Sequence, residues 1–289
     1  MRFLYPIAFL LVLAACFGAQ TVALRLVGGK TVKSESNYFS SIARLQNANR
    51  PDEEAPRVLL LGSSMIARLG DRAAAVPGVV NMGCDGGSAV ITLRAIDRGD
   101  LRAAPVIVVE ANSLAFELQH RGKEIAESIG SDTFKLGCKV PNLSATARPT
   151  AFAYSKLLAR HKVEVKDGLP IITQPRRLPL APVPELDEDA SKLANELTEI
   201  FHRLEARGSK ILLVMMPPGP RPDLMPGTVL GDLPVALASR SGVLYWDLNE
   251  GLPKDAVGYT DGLHLDAESA GKTMAQIMRG VEGMASVEK

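Results

Sequence analysis

The chain begins with an apolar stretch from residue 3 to 24, interrupted at Gln20, and then settles into short apolar runs separated by helical patterns. At about 1.5 Å per residue the stretch is long enough to cross a hydrocarbon core of roughly 30 Å, and it has no amphipathic period. It reads as a signal or a membrane span. A polar stretch at 34–56 follows and is expected to be a linker. Val58-Leu59-Leu60-Leu61 is a continuous apolar run closed by Gly62, the pattern of a strand buried on both faces of a parallel sheet. Ser63 or Ser64 then opens a helix. Val79-Val80-Asn81 predicts a second strand that leads into the glycine-rich turn Gly83-Cys84-Asp85-Gly86-Gly87, with Ser88 capping a helix to about Arg98.

Pro105 introduces a third strand, Val106–Val109. Leu193, Leu197, Ile200, Phe201 and Leu204 recur at helical spacing and predict a helix over 189–207, closed by Gly208. Lys210–Met215 and Val243–Leu248 are a fourth and a fifth strand, and Ala267–Val281 a last helix. Strands alternating with helices imply an α/β fold, a parallel sheet with helices on both faces. Between about 114 and 188 the alternation is lost among scattered glycines and prolines, so this segment reads as an insertion or cap. The expected division is a membrane or signal element at 1–27, a linker at 28–56 and one α/β domain at 57–283.

Composition narrows the function. With 33 Lys+Arg against 32 Asp+Glu the net charge is +1, which provides no field for nucleic acid. Cys16, Cys84 and Cys138 are too scattered for a zinc site or a disulfide scaffold, so no metal or other cofactor is expected. Cys84 and Cys138 either pair in an oxidising compartment or stay as buried thiols.

In open α/β sheets ligands bind beyond the carboxyl ends of the strands. Directly after strands one, two and three stand Ser64, the Gly83–Gly87 turn and Asn112: a hydroxyl to attack, backbone N–H groups, and a side-chain amide, the groups that acyl transfer requires. Tyr259-Thr260-Asp261-Gly262-Leu263-His264, before the last helix, adds a carboxylate and an imidazole three residues apart. Taken singly, each has a plain structural reading: Ser64 as a helix cap, the glycines as a tight turn, Asn112 as a loop amide, Asp261 and His264 as a solvated turn and a helix start. Glu110, Asp85 and Asp247, also near strand ends, are read as structural hydrogen-bonding residues, and His120, His161 and His202 lie away from the strand ends. Met215-Met216-Pro217-Pro218 reads as a core run ending in a rigid loop.

Together, in this order, these blocks resemble the SGNH/GDSL hydrolase superfamily over about residues 57–281. Leu61-Gly62-Ser63-Ser64 is similar to the family's Gly-Asp-Ser block, with Ser63 in place of the aspartate. Asn81-Met82-Gly83-Cys84-Asp85-Gly86 corresponds to the second block. Glu110-Ala111-Asn112-Ser113 corresponds to Gly-x-Asn-Asp without its glycine and final aspartate. Asp261-Gly-Leu-His264 is similar to the last block. The resemblance implies a three-layer α/β/α sandwich around a parallel, flavodoxin-like five-stranded sheet. It also implies a catalytic triad of Ser64, Asp261 and His264, and an oxyanion hole of Ser64, Gly86, with Gly87 the alternative, and Asn112.

The Gly-Ser-Ser form is similar to that of membrane-linked relatives that move acyl groups on extracytoplasmic polymers. The activity expected is therefore that of a serine esterase or O-acyltransferase, with an acylated carbohydrate or another ester as substrate. The alternatives are a non-catalytic carbohydrate-binding or assembly protein on the same fold, and a lipase or thioesterase. Leu13-Ala14-Ala15-Cys16 resembles a bacterial lipoprotein signal, so the N-terminal segment is a signal anchor, a lipoprotein signal with lipid on Cys16, or a cleaved leader. All three place the domain outside the cytoplasm, attached to the membrane in the first two. The positive charges Arg25, Lys30 and Lys33 after the segment, against Arg2 before it, run counter to that orientation.

Overall fold

The computed structural model describes residues 4–26, 34–69, 76–157, 168–171, 173–180, 183–217, 227–253 and 255–284. Arg2, Lys30, Lys33, His161, Pro218 and the stretch 158–167 of the insertion lie outside them. The framework is a mixed, mostly parallel sheet of six strands: β1 (Val58–Leu61), β2 (Val79–Asn81), β3 (Val106–Glu110), β4 (Arg176–Arg177), β5 (Lys210–Met215) and β6 (Leu244–Asp247). Their order is β2-β1-β3-β5-β6-β4. The first five in that order are mutually parallel, and β4 is antiparallel to β6 through Arg176 opposite Tyr245. The sheet thus has one strand more than the five expected. The extra strand is two exposed arginines with no apolar run, and it comes from the segment expected to be an insertion.

Alternate residues of the central strands feed two separate cores, as the two-residue side-chain period requires. On one face Leu59, Leu61, Ile107, Val109, Ile211 and Leu213 pack against helices α2 (Asn37–Ala48), α4 (Ala89–Arg98), α8 (Glu188–Ala206) and α9 (Val229–Ser241). On the other, Leu60, Val108, Leu212, Val214 and Trp246 pack against Met274, Ile277 and Val281 of α10 (Ala267–Met284). Burial on both faces explains why β1, β3 and β5 are continuous apolar runs. The helix starts obey their caps: Ser88 Oγ accepts the Val90 N–H and Asp187 accepts the Ala190 N–H.

The polar stretch at 34–56 is not a linker. Ser36 caps α2 by accepting the Phe39 N–H, and Ile42, Leu45 and Ala48 enter the core, while Arg44 and Gln46 are buried with polar partners. Those buried polar side chains dilute the apolar signal of the helix. The segment after β3 is a chain of short helices, a 3-10 helix at Ala111–Gln119, α5 (Lys123–Ser128), α6 (Asp132–Lys139), 3-10 turns at Pro141–Leu143 and Ala145–Ala147, and α7 (Pro149–Leu157). Several of these pack along α2. Helix α9 was also not legible, because Pro234 stands inside it.

Helix α1 (Leu4–Leu26) contains an 18-residue window of mean hydropathy 2.3 and is long and apolar enough to cross a membrane. Its carboxyl end is tied to the domain. Gln20 Nε2 donates to the carbonyls of Asn142 and Ala147 at 3.0 and 2.9 Å, and Asn142 Nδ2 donates to the Phe17 carbonyl and to Thr21 Oγ1. The one polar interruption of the apolar stretch is therefore an attachment point.

Because Leu45 is fully buried, Leu45→Ala is expected to lower unfolding stability by about 2–5 kcal/mol, the range for cavity formation in a core. A residue on a solvated linker would change it by no more than about 0.5 kcal/mol. Urea denaturation of the two proteins distinguishes these outcomes.

Candidate active site

The nucleophile candidate sits where β1 ends. Gly62 leaves the strand, Ser63 caps the single turn α3 (Ser64–Ala67), and Ser64 is its first residue. The turn is held from the second block: Cys84 N–H donates to the Gly62 carbonyl at 2.7 Å, and Asn81 Nδ2 donates to the Ile66 carbonyl at 2.6 Å. Gly83 packs so closely that a Cβ there would lie 2.4 Å from the Ala67 nitrogen. Arg44, from α2, donates to the Gly83 carbonyl and pairs with Asp85 at 3.1 Å, so the second block is fastened on its outer side too.

Three of the expected residues come together in one hydrogen-bonded line. Ser64 Oγ lies 2.8 Å from His264 Nε2, and His264 Nδ1 lies 2.7 Å from Asp261 Oδ2. Asp261 Oδ1 accepts the backbone N–H groups of His264 and Leu263 at 2.8 and 3.1 Å. These bonds to His264 hold the Asp261 carboxyl well below its usual range. An ionised Asp261 only accepts, so Nδ1 carries the proton and Nε2 is free to accept from Ser64. The loop that presents the pair is closed by Thr260 N–H to the His264 carbonyl at 2.8 Å and a bridge between Tyr259 and Leu265, with Gly262 at φ +76° in the turn. His264 is 9% exposed, whereas Asp261 is half exposed and pairs with Arg68 at 3.6 Å.

The oxyanion donors are met unequally. The N–H groups of Ser64 and Gly86 make no hydrogen bond to a described residue, and Gly86 is exposed at φ +75°. The Gly87 N–H, the alternative, is taken by the Cys84 carbonyl at 2.9 Å. Asn112 is buried and bound at both ends of its amide to Met216: Nδ2 donates to the carbonyl at 3.1 Å and Oδ1 accepts the N–H at 2.7 Å. One amide hydrogen of Asn112 is left over from that pairing.

Other candidates resolve into supports. Asp247 accepts the backbone and side-chain N–H groups of Asn249. Cys84 and Cys138 are both free and buried, and burial pushes the Cys84 thiol up to about 12. Arg44 and Arg68 also support the site, although neither stands in one of the sequence blocks. Arg68 stands four residues after Ser64, one helical turn away, and that spacing was the available signal. Among the described residues, no group of three or more His, Cys, Asp or Glu is placed to hold a metal ion. No protein-family model, curated protein or solved structure matches the chain.

Glu110, at the end of β3, is fully buried and accepts from Ser63: the N–H at 2.7 Å, and Oγ–H at 2.8 and 3.0 Å to the two carboxylate oxygens. Burial raises its pKa from an ordinary 4.5 to about 7 against the opposing effect of those bonds. Between these values the unfolded chain has lost the proton and the folded chain has kept it. The group's contribution to stability therefore falls as pH rises from about 4.5 to 7 and is level beyond. Relative to Glu110→Gln, the wild type is expected to lose on the order of 2–3 kcal/mol across that window. Urea midpoints at pH 5 and 8 that move in parallel for both proteins would rule this out.

Proposed function

We propose that this protein is a serine-dependent acyl-transfer enzyme of the SGNH/GDSL type, acting on ester groups of acylated glycans or envelope polymers outside the cytoplasm. The observation that carries the reading is the unbroken line from Ser64 Oγ through the His264 imidazole to Asp261 Oδ2, with hydrogen bonds of 2.8 Å at Nε2 and 2.7 Å at Nδ1. Two features support it. The parallel strands follow the order β2-β1-β3-β5-β6, which is that of flavodoxin-like sheets once the antiparallel edge strand β4 is set aside. The two halves of the line also come from the carboxyl end of β1 and from the loop before α10, where ligands of such sheets bind.

In this mechanism Ser64 Oγ attacks the ester carbonyl carbon while its proton passes to His264 Nε2, and Asp261 stabilises the imidazolium. The negative charge on the carbonyl oxygen is met by the Ser64 and Gly86 N–H groups. Collapse of the tetrahedral species breaks the bond to the leaving alcohol, which takes the proton from His264. The acyl group left on Ser64 is then transferred to water or to a sugar hydroxyl by the same steps in reverse. Helix α1 is the membrane attachment in this reading, as anchor or, after processing, through lipid on Cys16. The engagement of Asn112 with Met216 is the observation that favours the second reading, a non-catalytic binding protein on this fold, because it commits the carbonyl and one of the two amide hydrogens of the third expected donor to the fold.

The full chain in detergent is expected to release p-nitrophenol from p-nitrophenyl acetate, with Ser64→Ala and His264→Ala each lowering kcat by about 10³-fold or more. Mass spectrometry with an added sugar oligomer reads transfer as acylated acceptor and hydrolysis as free acid. Equal background rates in all three proteins, with no labelling of Ser64 by a fluorophosphonate, would favour the binding protein.

A further inference from the structure

The sequence departs from the SGNH/GDSL pattern at two places that look unrelated: a serine where the first block usually has aspartate, and a glutamate where the third usually has glycine. In three dimensions they are one place. Ser63 and Glu110, 47 residues apart, are joined by three hydrogen-bond contacts of 2.7–3.0 Å at the adjoining ends of β1 and β3. The carboxylate reaches Ser63 because Gly62 has no side chain: a Cβ there would lie 2.3 Å from Glu110 Oε2.

We propose that Glu110 is a positioning residue for the nucleophile, its buried carboxylate clamping Ser63 so that the turn into α3 aims Ser64 Oγ at His264. The proposal rests on the acyl-transfer reading above. Three observations carry it. Ser63 uses its N–H and its hydroxyl hydrogen on Glu110 while its Oγ accepts the Met65 N–H at 3.3 Å, so the residue before the nucleophile has its orientation fixed from both sides. Ser64, one bond further on, makes its side-chain hydrogen bond to His264 alone among the described residues. The carboxylate is also held in a costly place, since a buried carboxylate without a cation is disfavoured against an apolar side chain of similar size. Burial is the first cause of its raised pKa, the backbone and hydroxyl of Ser63 and the backbone of Ile66 oppose it, and no charged side chain among the described residues contributes. The titratable group joined to it is His264, through Ser63 and Ser64. The clamp as drawn needs the ionised form, which accepts from Ser63 and donates nothing.

The test uses the full chain in detergent, with p-nitrophenyl acetate turnover from pH 5 to 9, the rate of Ser64 labelling by a fluorophosphonate, and thermal melting. Glu110→Gln is expected to stay folded, to lower kcat and the labelling rate by roughly 10–100-fold with KM within about threefold, and to remove one ionisation from the acid limb of the kcat profile. Ser63→Ala is expected to give a similar loss, Ser63→Thr to recover most of it by keeping the hydroxyl, and the double variant Ser63→Ala with Glu110→Gln to be no worse than the poorer single one. If Glu110→Gln fails to fold, the Ser63 pair carries the same test with the carboxylate intact. An active, labelled wild type whose Glu110→Gln and Ser63→Ala variants match it in kcat and pH profile overturns the clamp alone. A wild type that neither turns over nor labels at Ser64 overturns the acyl-transfer reading and the clamp with it.

Discussion

The parallel pairing of β1 with β3 is the constraint on which the candidate site of this protein depends. Its register sets Leu61 against Val109, so the residues that leave the two strands, Gly62 to Ser64 and Glu110 to Asn112, emerge side by side at one edge of the sheet. Parallel strands deliver all their carboxyl ends to the same edge, and Leu59 and Leu61 serve one core while Leu60 serves the other. The absence of a side chain at Gly62 then allows the Glu110 carboxylate to approach the β1 backbone.

The second half of the site is built on a different principle. Asp261 and His264 belong to one tight turn, and nearly all of its geometry is local: Asp261 binds the N–H groups of Leu263 and His264, and Thr260 binds the His264 carbonyl. Such a turn presets the tautomer and direction of the imidazole before any contact with the sheet. It meets Ser64 through a single hydrogen bond across 200 residues. That bond has the right length only if α10, which follows the turn, is correctly seated on its face of the sheet through Met274, Ile277 and Val281. Arg68 joins the halves a second time, from the end of α3 to the outer side of Asp261.

These differences explain what could be read from the chain. β1, β2, β3, β5 and β6, α4, α8 and α10 were legible because each carries a short apolar run or a helical apolar stripe. The meeting of Ser64, His264 and Asp261 was foreshadowed because Ser64 directly follows β1 and the other two stand just before α10. α2 was hidden, since three of the seven residues it buries are polar: Arg44, Gln46 and Ser41 bind the second block and later segments and so look like surface residues in sequence. β4 has no apolar pattern because an edge strand of two arginines needs none. The role of Asn112 was only half legible: its type and place after β3 were right for an oxyanion donor, but pairing with Met216 depends on β5 lying next to β3, which no local pattern announces.

Glu110 is the residue whose neighbours decide its meaning. In sequence it is a mismatch beside an expected glycine, and an acidic residue at the end of a buried strand is commonly a structural hydrogen-bond acceptor. In the fold it lies where burial opposes its ionisation and Ser63 favours it, and the balance leaves it near 7. An ionised carboxylate there lowers the stability of the folded chain, so its presence calls for a compensating use. The bonds it makes converge on the backbone and hydroxyl of Ser63, the residue preceding Ser64, and among the described residues they do not extend to a cation that would make the carboxylate a stabilising pair. A group that weakens the fold while fixing the approach to Ser64 follows the general pattern in which strain and unfavourable burial collect at functional sites and the surrounding packed core sustains them.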